Sequence, residues 1–446
     1  MRRHLTNAGY GVLDYVSYPA GMLLVAPIVL HRLGSAEYGL WMIATAVMSA
    51  GGIIASGFCD ACTQRVAYLR GAGKSDRMPY AIRNLMGINI MLGCALAIGA
   101  WIAAPYAAHQ IGVSSRMPAS ESVIALRIAS AAIVVRAVES VGVGVHRAFE
   151  DYSGTVRIST AARLLTLGTA ALLVLMGRGI VSILAATIVF LFLEMIMQFR
   201  GLRRFLGSTP FWPSFHLGEA KVLFGRGFFA WLQALGGVAF AQLDRILLGF
   251  WLGALAVTPY SLCVQFAHPI MGFAASGFNF LFPYLSGRAS HLSGDGLKHI
   301  LLKAFLCNLA LVACGAGVLL LAGNELIRIW AGPEVASRAA RILLPIVVGT
   351  ALMGLSVTGT YAMQALGRFR TVALINLGGR AAMLLLMIEL LRHQGLQGLA
   401  LSRVFYGSVS LLVYLPLLRE LRSGEKAWEH AAAQPIAIEA PEGSHP

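Results

Sequence analysis

Several arginines fall inside stretches of sequence that are otherwise apolar. Arg136, Arg163 and Arg380 are the clearest cases, and Arg127 and Arg403 follow them. An arginine at the centre of a membrane helix costs about 2.5–3.5 kcal/mol on insertion scales, so such residues face a partner, a bundle interior or a water-filled cavity. A guanidinium group presents a planar fork that suits phosphate or carboxylate oxygens. The sequence therefore predicts a cationic cavity inside a membrane, with these five arginines as candidate contacts for an anionic ligand.

The acidic residues inside the apolar stretches leave two interpretations open. They can neutralise nearby arginines, as Arg136 and Glu139 would do three residues apart on one helix, and as Asp244 would do with a cation on a neighbouring helix. Alternatively, a membrane carboxylate binds a proton or cation during exchange, and a histidine titrates near neutral pH. The candidates for such ion coupling are Asp14, Glu139, Glu194, Asp244, Glu389 and His268. We expect the acidic candidates to be buried.

The composition places these residues in a polytopic membrane protein. Hydrophobic residues make up 57% of the 446 residues and charged residues 12%, and the mean hydropathy is +0.72. A soluble fold of this composition would have too little polar surface. One span needs about 20 mainly apolar residues. The pattern predicts twelve helices near 8–30, 37–58, 80–104, 120–145, 154–176, 179–200, 224–250, 255–283, 299–322, 340–365, 370–391 and 396–418.

The positive charges fall mostly in alternate loops, which explains the net charge of +15 without nucleic-acid binding. With the N-terminus inside, 18 lysines and arginines lie in cytoplasmic segments and 6 in the opposite loops. The positive-inside rule then predicts that both termini are cytoplasmic and that the number of spans is even.

The sequence repeats itself weakly at an offset of about 217–220 residues. Ala55-Ser56-Gly57-Phe58 recurs as Ala275-Ser276-Gly277-Phe278, Leu33-Gly34 corresponds to Leu252-Gly253, and Arg163 aligns with Arg380. A direct repeat of six helices predicts two related bundles. The expected domains are an N-terminal bundle over 1–205, a cytoplasmic linker over 206–223, a C-terminal bundle over 224–421 and a disordered cytoplasmic tail over 422–446.

No enzyme signature emerges from the motifs. Gly73-Lys74-Ser75 resembles the end of a phosphate-binding loop, but Tyr68 stands where that motif needs its first glycine, and no buried strand precedes it. No catalytic triad or metal-ligand cluster can be assembled. The sequence predicts a secondary-type transporter without catalytic residues, metal or cofactor.

Two segments carry a resemblance to a known family. They are Leu33-Gly34-Ser35-Ala36-Glu37-Tyr38-Gly39-Leu40-Trp41, and Asp244-Arg245-Ile246-Leu247-Leu248-Gly249 followed by Leu252-Gly253 and Tyr260. Over residues 5–420 the chain resembles the polysaccharide transporters, or Wzx-type oligosaccharide flippases, of the MOP superfamily that also contains the MATE exporters. This resemblance implies an all-α membrane protein of two six-helix bundles that moves a polyprenyl-pyrophosphate-linked oligosaccharide by alternating access.

The resemblance also implies a setting and partners. We expect a multi-pass protein of the bacterial inner membrane that serves O-antigen, capsule or exopolysaccharide assembly. Its partners would be the lipid-linked oligosaccharide, membrane lipids, and a polysaccharide polymerase with other assembly proteins. Two alternatives stay open: a MATE-like cation-coupled multidrug exporter, and a non-transporting scaffold for polysaccharide enzymes.

Overall fold

The computed structural model describes most of the apolar stretches. It covers residues 17, 21–49, 51, 66, 69–70, 73, 75–112, 118–149, 151–206, 212–215, 242–278, 281, 285 and 294–423. The chain divides into two compact units: Met1–Ser261 with Ile327–Ala336, and Leu262–Leu326 with Ser337–Pro446. The predicted domain boundaries remain predictions.

The described part of the first unit consists of helices. Helix α1 covers 21–49, and a 3₁₀ turn at Ser75–Arg77 leads into α2. Four long helices and one short helix follow, and α7 begins in this unit and continues into the second. Their bounds are α2 Met78–Gly112, α3 Ala119–Ala148, α4 Tyr152–Leu175, α5 Ile180–Leu206, α6 over 242–252 and α7 Ala254–Phe278. Helix α3 packs against α2 and α5, and α5 packs against α4.

The described residues after α7 are also helical, and all of them belong to the second unit except Ile327–Ala336. The elements are α8 Gly294–Ala331, α9 Pro333–Ala365, α10 Phe369–Gln394, α11 Leu396–Ser410, a 3₁₀ turn Leu411–Val413 and α12 Tyr414–Ser423. The junction of α8 and α9 is a tight turn: Gly332 adopts a φ of +87°, and Pro333 supplies the fixed φ suited to a first helical position.

Eight described helices are long and apolar enough to cross a membrane. They correspond to the predicted spans 3–6 and 9–12, while most of the predicted span 7 lies outside the described residues. Two details of the prediction were wrong. The loop expected over 31–36 is helical apart from the break at Gly34, and the helix expected over 299–322 extends from Gly294 to Ala331. A helix tolerates the polar residues near Asn324 because they lie close to its end, where side chains reach the interface.

The structure confirms the direct repeat through its backbone turns. Gly34 and Gly253 correspond to each other in the repeat, and both adopt a positive φ, +83° and +77°. Gly177 and Gly395, whose separation also falls within the offset of the repeat, have positive φ angles as well, +77° and +58°. Glycine is favoured at such positions because a Cβ is strained there. Each half therefore makes the same two turns at equivalent places.

A pair of buried asparagines extends the repeat into the helix packing. Asn89 Nδ2 on α2 donates to Ala137 O at 3.0 Å, and Ser140 Oγ lies 3.4 Å away. Asn308, at the equivalent position of α8, donates through Nδ2 to Gly354 O at 3.0 Å and to Thr358 Oγ1 at 2.9 Å. Both asparagines are fully buried. In each half, therefore, an asparagine amide forms a hydrogen bond that joins two neighbouring spans.

Polar side chains also join the ends of α3, α4 and α5. Buried His146 places Nε2 3.0 Å from Gln198 O and Nδ1 3.0 Å from Asp151 Oδ2. Asp151 caps α4 by accepting from Gly154 N. Gln198 Nε2 in turn reaches Ser159 Oγ at 3.2 Å. These contacts fix the three helices at one end, and the helices form the walls of the cavity described next.

Candidate functional site

The first unit contains a cavity of about 490 Å³. This volume falls in the range of about 300–1,000 Å³ that is typical of small-molecule sites. The described helices around it, α1, α3, α4, α5 and α6, all belong to predicted membrane spans. The lining residues are Trp41, Thr45, Met48, Ser49, Arg136, Arg163, Thr166, Leu167, Thr187, Leu191, Glu194, Gln242 and Arg245.

The helical period explains why these residues meet at one cavity. Side chains three, four or seven positions apart share one face of a helix. Helix α1 contributes positions 41, 45, 48 and 49, and α4 contributes positions 163, 166 and 167. Helix α5 contributes 187, 191 and 194, and α6 contributes 242 and 245. Each of these four helices therefore turns a single face, with polar residues on it, toward the cavity.

Three arginines give the cavity its charge. Arg136 and Arg163, both predicted from the sequence, line it together with Arg245. Arg136 Nη1 lies 3.7 Å from Glu139 Oε2, so the ion pair considered from the sequence is present. About one third of the Arg136 side chain stays exposed, at 34%, so this residue is not fully enclosed by its ion pair.

Two buried carboxylates balance these arginines in part. Glu194 lines the cavity, and Glu139 lies close enough to Arg136, Arg163 and Glu194 to interact with each electrostatically. Both glutamates are almost fully buried, with Glu194 3% and Glu139 5% exposed. Burying a charge is costly unless it is paired, so the mixed cluster is more favourable than arginines alone. Three guanidinium groups outnumber the two carboxyl groups, so the cluster is cationic whichever protonation state the glutamates adopt.

Helix α6 places Arg245 at the cavity through two sets of contacts. A hydrogen bond joins α6 to α7, and α7 packs against α1. Asp244 accepts hydrogen bonds from Tyr260 Oη and from its neighbour's backbone, Arg245 N, the latter at 2.7 Å. Thr258 Oγ1 donates to Ser35 O at 2.6 Å. Gly39 allows close approach, since a Cβ there would collide with the carbonyl oxygen of Ala254. The two segments that carry the family resemblance therefore pack against each other and shape the cavity.

Another residue of the first segment has a structural role. Glu37 Oε2 accepts a hydrogen bond from Ile180 N at 3.2 Å, at the first residue of α5. A carboxylate at a helix N-terminus satisfies a backbone N–H and complements the helix dipole. Trp41 follows one turn later and lines the cavity. The segment thus fixes the start of α5 relative to α1.

The other predicted arginines lie elsewhere. Arg127 Cζ lies 5.1 Å from the ring centre of Trp101, a cation–π contact between α3 and α2. Arg380 Nε donates to Tyr406 Oη at 3.1 Å within the second unit. Arg403 is a buried residue of α11 in the same unit. The structure therefore brings two of the five predicted arginines together in this cavity.

The remaining ion-coupling candidates are dispersed. Asp244 is buried and held by Tyr260, as described above. The expectation that Glu389 is buried was wrong: its side chain is 62% exposed and lies 2.9 Å from His393. Glu389 lies in the last turns of its helix, where a polar side chain extends away from the bundle. His268 is also exposed within the folded chain, and Asp14 lies outside the described residues.

Sequence reasoning missed the polar neutral part of the cavity. Thr45, Ser49, Thr166, Thr187 and Gln242 were not selected, because serine and threonine are common in membrane helices. A usable signal was nevertheless present in their spacing. Three of them stand three or seven residues from a charged lining residue of the same helix, so they share its face.

Two comparisons with known protein sequences gave a match. The family described as polysaccharide biosynthesis protein matches residues 10–287. The uncharacterized membrane protein EpsK of Bacillus subtilis (strain 168) is 26% identical over 229 residues, which cover 48% of this chain and 44% of EpsK. The chain thus spans less than half the length of this relative.

Solved transporters share the architecture at low sequence identity. The lipid II flippase MurJ, in an inward closed conformation, has a TM-score of 0.71 at 13% identity, covering 95% of this chain and 90% of MurJ. An inward-facing multidrug resistance MATE transporter of the MOP superfamily has a TM-score of 0.67 at 14% identity, covering 92% of this chain and 95% of that transporter. These likenesses confirm the predicted MOP fold, and the match over residues 10–287 identifies the chain as a member of the polysaccharide biosynthesis protein family.

Proposed function

We propose that this protein is a flippase that moves a polyprenyl-pyrophosphate-linked oligosaccharide from the inner to the outer leaflet by alternating access. The observation that carries this proposal is the cavity with three arginines, Arg136, Arg163 and Arg245, in a unit built of membrane-crossing helices. Guanidinium groups bind phosphate oxygens bidentately, and they stay charged at any physiological pH. A diphosphate group matches this donor set.

The physical task of such a flippase is to lower the cost of carrying a polar headgroup through hydrocarbon. The polyprenyl chain is apolar and can stay in the bilayer, whereas the diphosphate and sugars need a polar environment. The cavity supplies positive charge that offsets the negative charge of the diphosphate. No covalent bond changes, so the protein would act as a secondary-type transporter and not as an enzyme.

We further propose that Glu139 and Glu194 serve as counterions for the arginines when the headgroup is absent. Both are buried beside the guanidinium groups that would hold the diphosphate. A carboxylate that exchanges a proton or cation as the headgroup arrives would also couple transport to an ion gradient. The wider setting proposed is the bacterial inner membrane, with cytoplasmic termini and with polysaccharide assembly proteins, such as a polymerase, as neighbours.

A transport assay tests the function directly. Purified protein in proteoliposomes should move a polyprenyl-diphosphate saccharide between leaflets, measured by the accessibility of its sugar to a membrane-impermeant oxidant. Empty liposomes are the control. The proposal fails if the protein moves no such lipid while the same preparation exports organic cations, which would favour a multidrug exporter. Full surface polysaccharide in cells that carry a folded, transport-dead protein would favour a scaffold.

A further inference from the structure

The chain between α5 and α6 includes a short segment, residues 212–215, that packs against α2. Arg83 Nε donates a hydrogen bond to Trp212 O at 2.8 Å, and Ser214 N donates to Arg83 O at 3.1 Å. Gly87 lies one turn further along α2 and permits close approach, because a Cβ there would collide with Ser214 O. The segment is therefore held on one face of α2 by backbone contacts and by one arginine.

The position of this segment along α2 places it at a membrane surface. Helix α2 has 35 residues, which span about 52 Å, whereas the hydrocarbon core of a bilayer is about 30 Å thick. Arg83 is the sixth residue of the helix, and no Asp, Glu, Lys or Arg follows it before the helix ends. The helix therefore extends beyond the hydrocarbon, and Arg83 marks the level at which its uncharged part begins. Lipid phosphates lie near this level.

Three aromatic side chains, each more than half exposed, lie near Arg83: Tyr80, Trp212 and Phe215. Tyr80 precedes Arg83 by three residues and shares its face of α2. Since Ser214 packs one turn deeper along α2 than Trp212 does, the segment runs toward the hydrocarbon and Phe215 follows in that direction. Tryptophan and tyrosine are enriched at membrane interfaces, and phenylalanine suits hydrocarbon. The order of the rings thus matches the change from headgroups to acyl chains.

Arg83 keeps hydrogen-bond donors for a ligand at this level. A guanidinium group carries five N–H donors, and the hydrogen bond to Trp212 O occupies the one at Nε. Among the described residues, no carboxylate forms an ion pair with Arg83. The bond at Nε fixes this guanidinium beside the segment, and its Nη groups match the fork geometry that phosphate oxygens accept.

The neighbouring end of α5 adds positive charge. Leu202, near the end of α5, belongs to the same apolar core cluster as Ile82 and Leu85, near the start of α2. The ends of the two helices therefore lie on the same side of the bundle. Arg203 and Arg204 in the last turn of α5 are exposed. Basic side chains near a membrane surface attract anionic headgroups, so the local charge favours an anionic lipid over a zwitterionic one.

From these contacts we propose that Arg83, Tyr80 and the segment 212–215 form a binding site for one anionic phospholipid of the bilayer. The lipid phosphate binds Arg83, and the glycerol and the upper acyl chains pack against the rings of Trp212 and Phe215. None of these residues lines the cavity of the first unit, so the site does not depend on the proposed function. A lipid bound there holds the connection between α5 and α6 against α2.

Quenching of tryptophan fluorescence by brominated lipids tests this proposal. The protein is placed in vesicles of phosphatidylglycerol and phosphatidylcholine, with either lipid carrying brominated acyl chains. The signal of Trp212 is the difference between the wild type and Trp212→Phe. We expect phosphatidylglycerol to compete for the site about 2- to 5-fold better than phosphatidylcholine, as for an exposed ion pair. Arg83→Gln should abolish this preference.

A matched control is available at the same end of the first unit. Arg147 is an exposed arginine in the last turn of α3, and Val145 and Ala148 beside it belong to the same apolar cluster as the start of α2. Arg147→Gln removes the same charge and should leave the lipid preference of Trp212 unchanged. A loss as large as that of Arg83→Gln would assign the preference to general surface charge and overturn the site.

The wild-type measurement is decisive even if Arg83→Gln does not fold. Equal quenching of Trp212 by the two brominated lipids would overturn the proposal, because the site would then not distinguish an anionic headgroup. Quenching by neither lipid would overturn it as well, since protein and not lipid would then cover the segment. A preference for phosphatidylglycerol that the control variant retains and Arg83→Gln loses is the result that supports it.

Discussion

Arg163 and Arg380 occupy equivalent positions of the repeat, yet their surroundings differ. Arg163 lines a cavity with two further arginines, whereas Arg380 donates to the phenol of Tyr406. In the second half, therefore, an aromatic side chain supplies a hydrogen-bond acceptor for the arginine.

The interhelical hydrogen bonds of the two asparagines differ far less between the halves than the surroundings of the two arginines do. Asn89 and Asn308 are both fully buried, and both bridge to a backbone carbonyl and a hydroxyl of the next span. The helix packing has thus kept its symmetry, while the side chains around the equivalent arginines have diverged. We conclude that the repeat builds the scaffold, and we propose that the first half has specialised toward the anionic ligand.

The largest expected effect is a loss of lipid affinity, and it tests the difference between Arg163 and Arg380. Arg163→Gln should lower the affinity for a polyprenyl-diphosphate lipid by about 10- to 100-fold, since a hydrogen bond to a charged group contributes about 1.5–3 kcal/mol. Arg380→Gln should lower it far less, because that guanidinium does not line the cavity. Lipid binding and flipping are measured for both variants at matched folded yield. Equal losses would contradict the asymmetry between the halves.

The buried carboxylates should act in the opposite direction. Glu139→Gln and Glu194→Gln remove negative charges that compete with an anionic headgroup for the same arginines, so affinity for the diphosphate lipid should rise by about 3- to 10-fold. Glu389→Gln is the control, because this exposed glutamate pairs with His393. A fall in affinity for either cavity variant, with folding intact, would mean that the carboxylate contacts the ligand instead.

The hydrogen bonds of Asn89 and Asn308 should contribute equally to the free energy of unfolding. Asn89→Leu and Asn308→Leu each remove an interhelical hydrogen bond, which in membrane proteins contributes about 0.6 kcal/mol on average and up to about 1.7 kcal/mol. Unfolding in mild detergent would measure the loss. Comparable decreases in both variants are expected. A loss confined to one half would break the proposed symmetry of the scaffold.

The smallest effect on transport is expected from a change at Tyr406, the hydrogen-bond partner of Arg380 in the second half. Tyr406→Phe removes the acceptor of Arg380 and should cost about 0.5–1.5 kcal/mol in stability, the net contribution of one hydrogen bond. Flipping should be unchanged at matched folded yield, since Tyr406 is not part of the cavity of the first unit. A transport defect as large as that of Arg163→Gln would instead assign the second arginine a role in cargo binding.

Features that depend on local sequence were predicted well. Hydropathy located the eight described spans, because burial in hydrocarbon imposes about 20 apolar residues on each. The repeat was detectable from Leu33-Gly34 and Leu252-Gly253, and their glycines make equivalent turns. Arg136 and Arg163 were selected because a cation deep in an apolar stretch is costly anywhere in a membrane.

Features that depend on which helices meet were not predictable. Arg245 lies in the second half of the sequence repeat, but it joins the first unit because Thr258 and Gly39 bring α6 and α7 against α1. The charge of Arg245 alone does not indicate that its helix packs beside the helices of the first unit. Glu389 was misjudged for a related reason, since its apolar flanks do not reveal which side of the helix faces the bundle.

The sequence alone determined that this protein spans a membrane, repeats its helical unit and carries cations within its spans, because hydropathy and charge are properties of each segment. Only the tertiary structure decided which arginines share a cavity and which one is held by a phenol. Those outcomes depend on the packing of one helix face against another, and residues far apart in the chain fix that packing together.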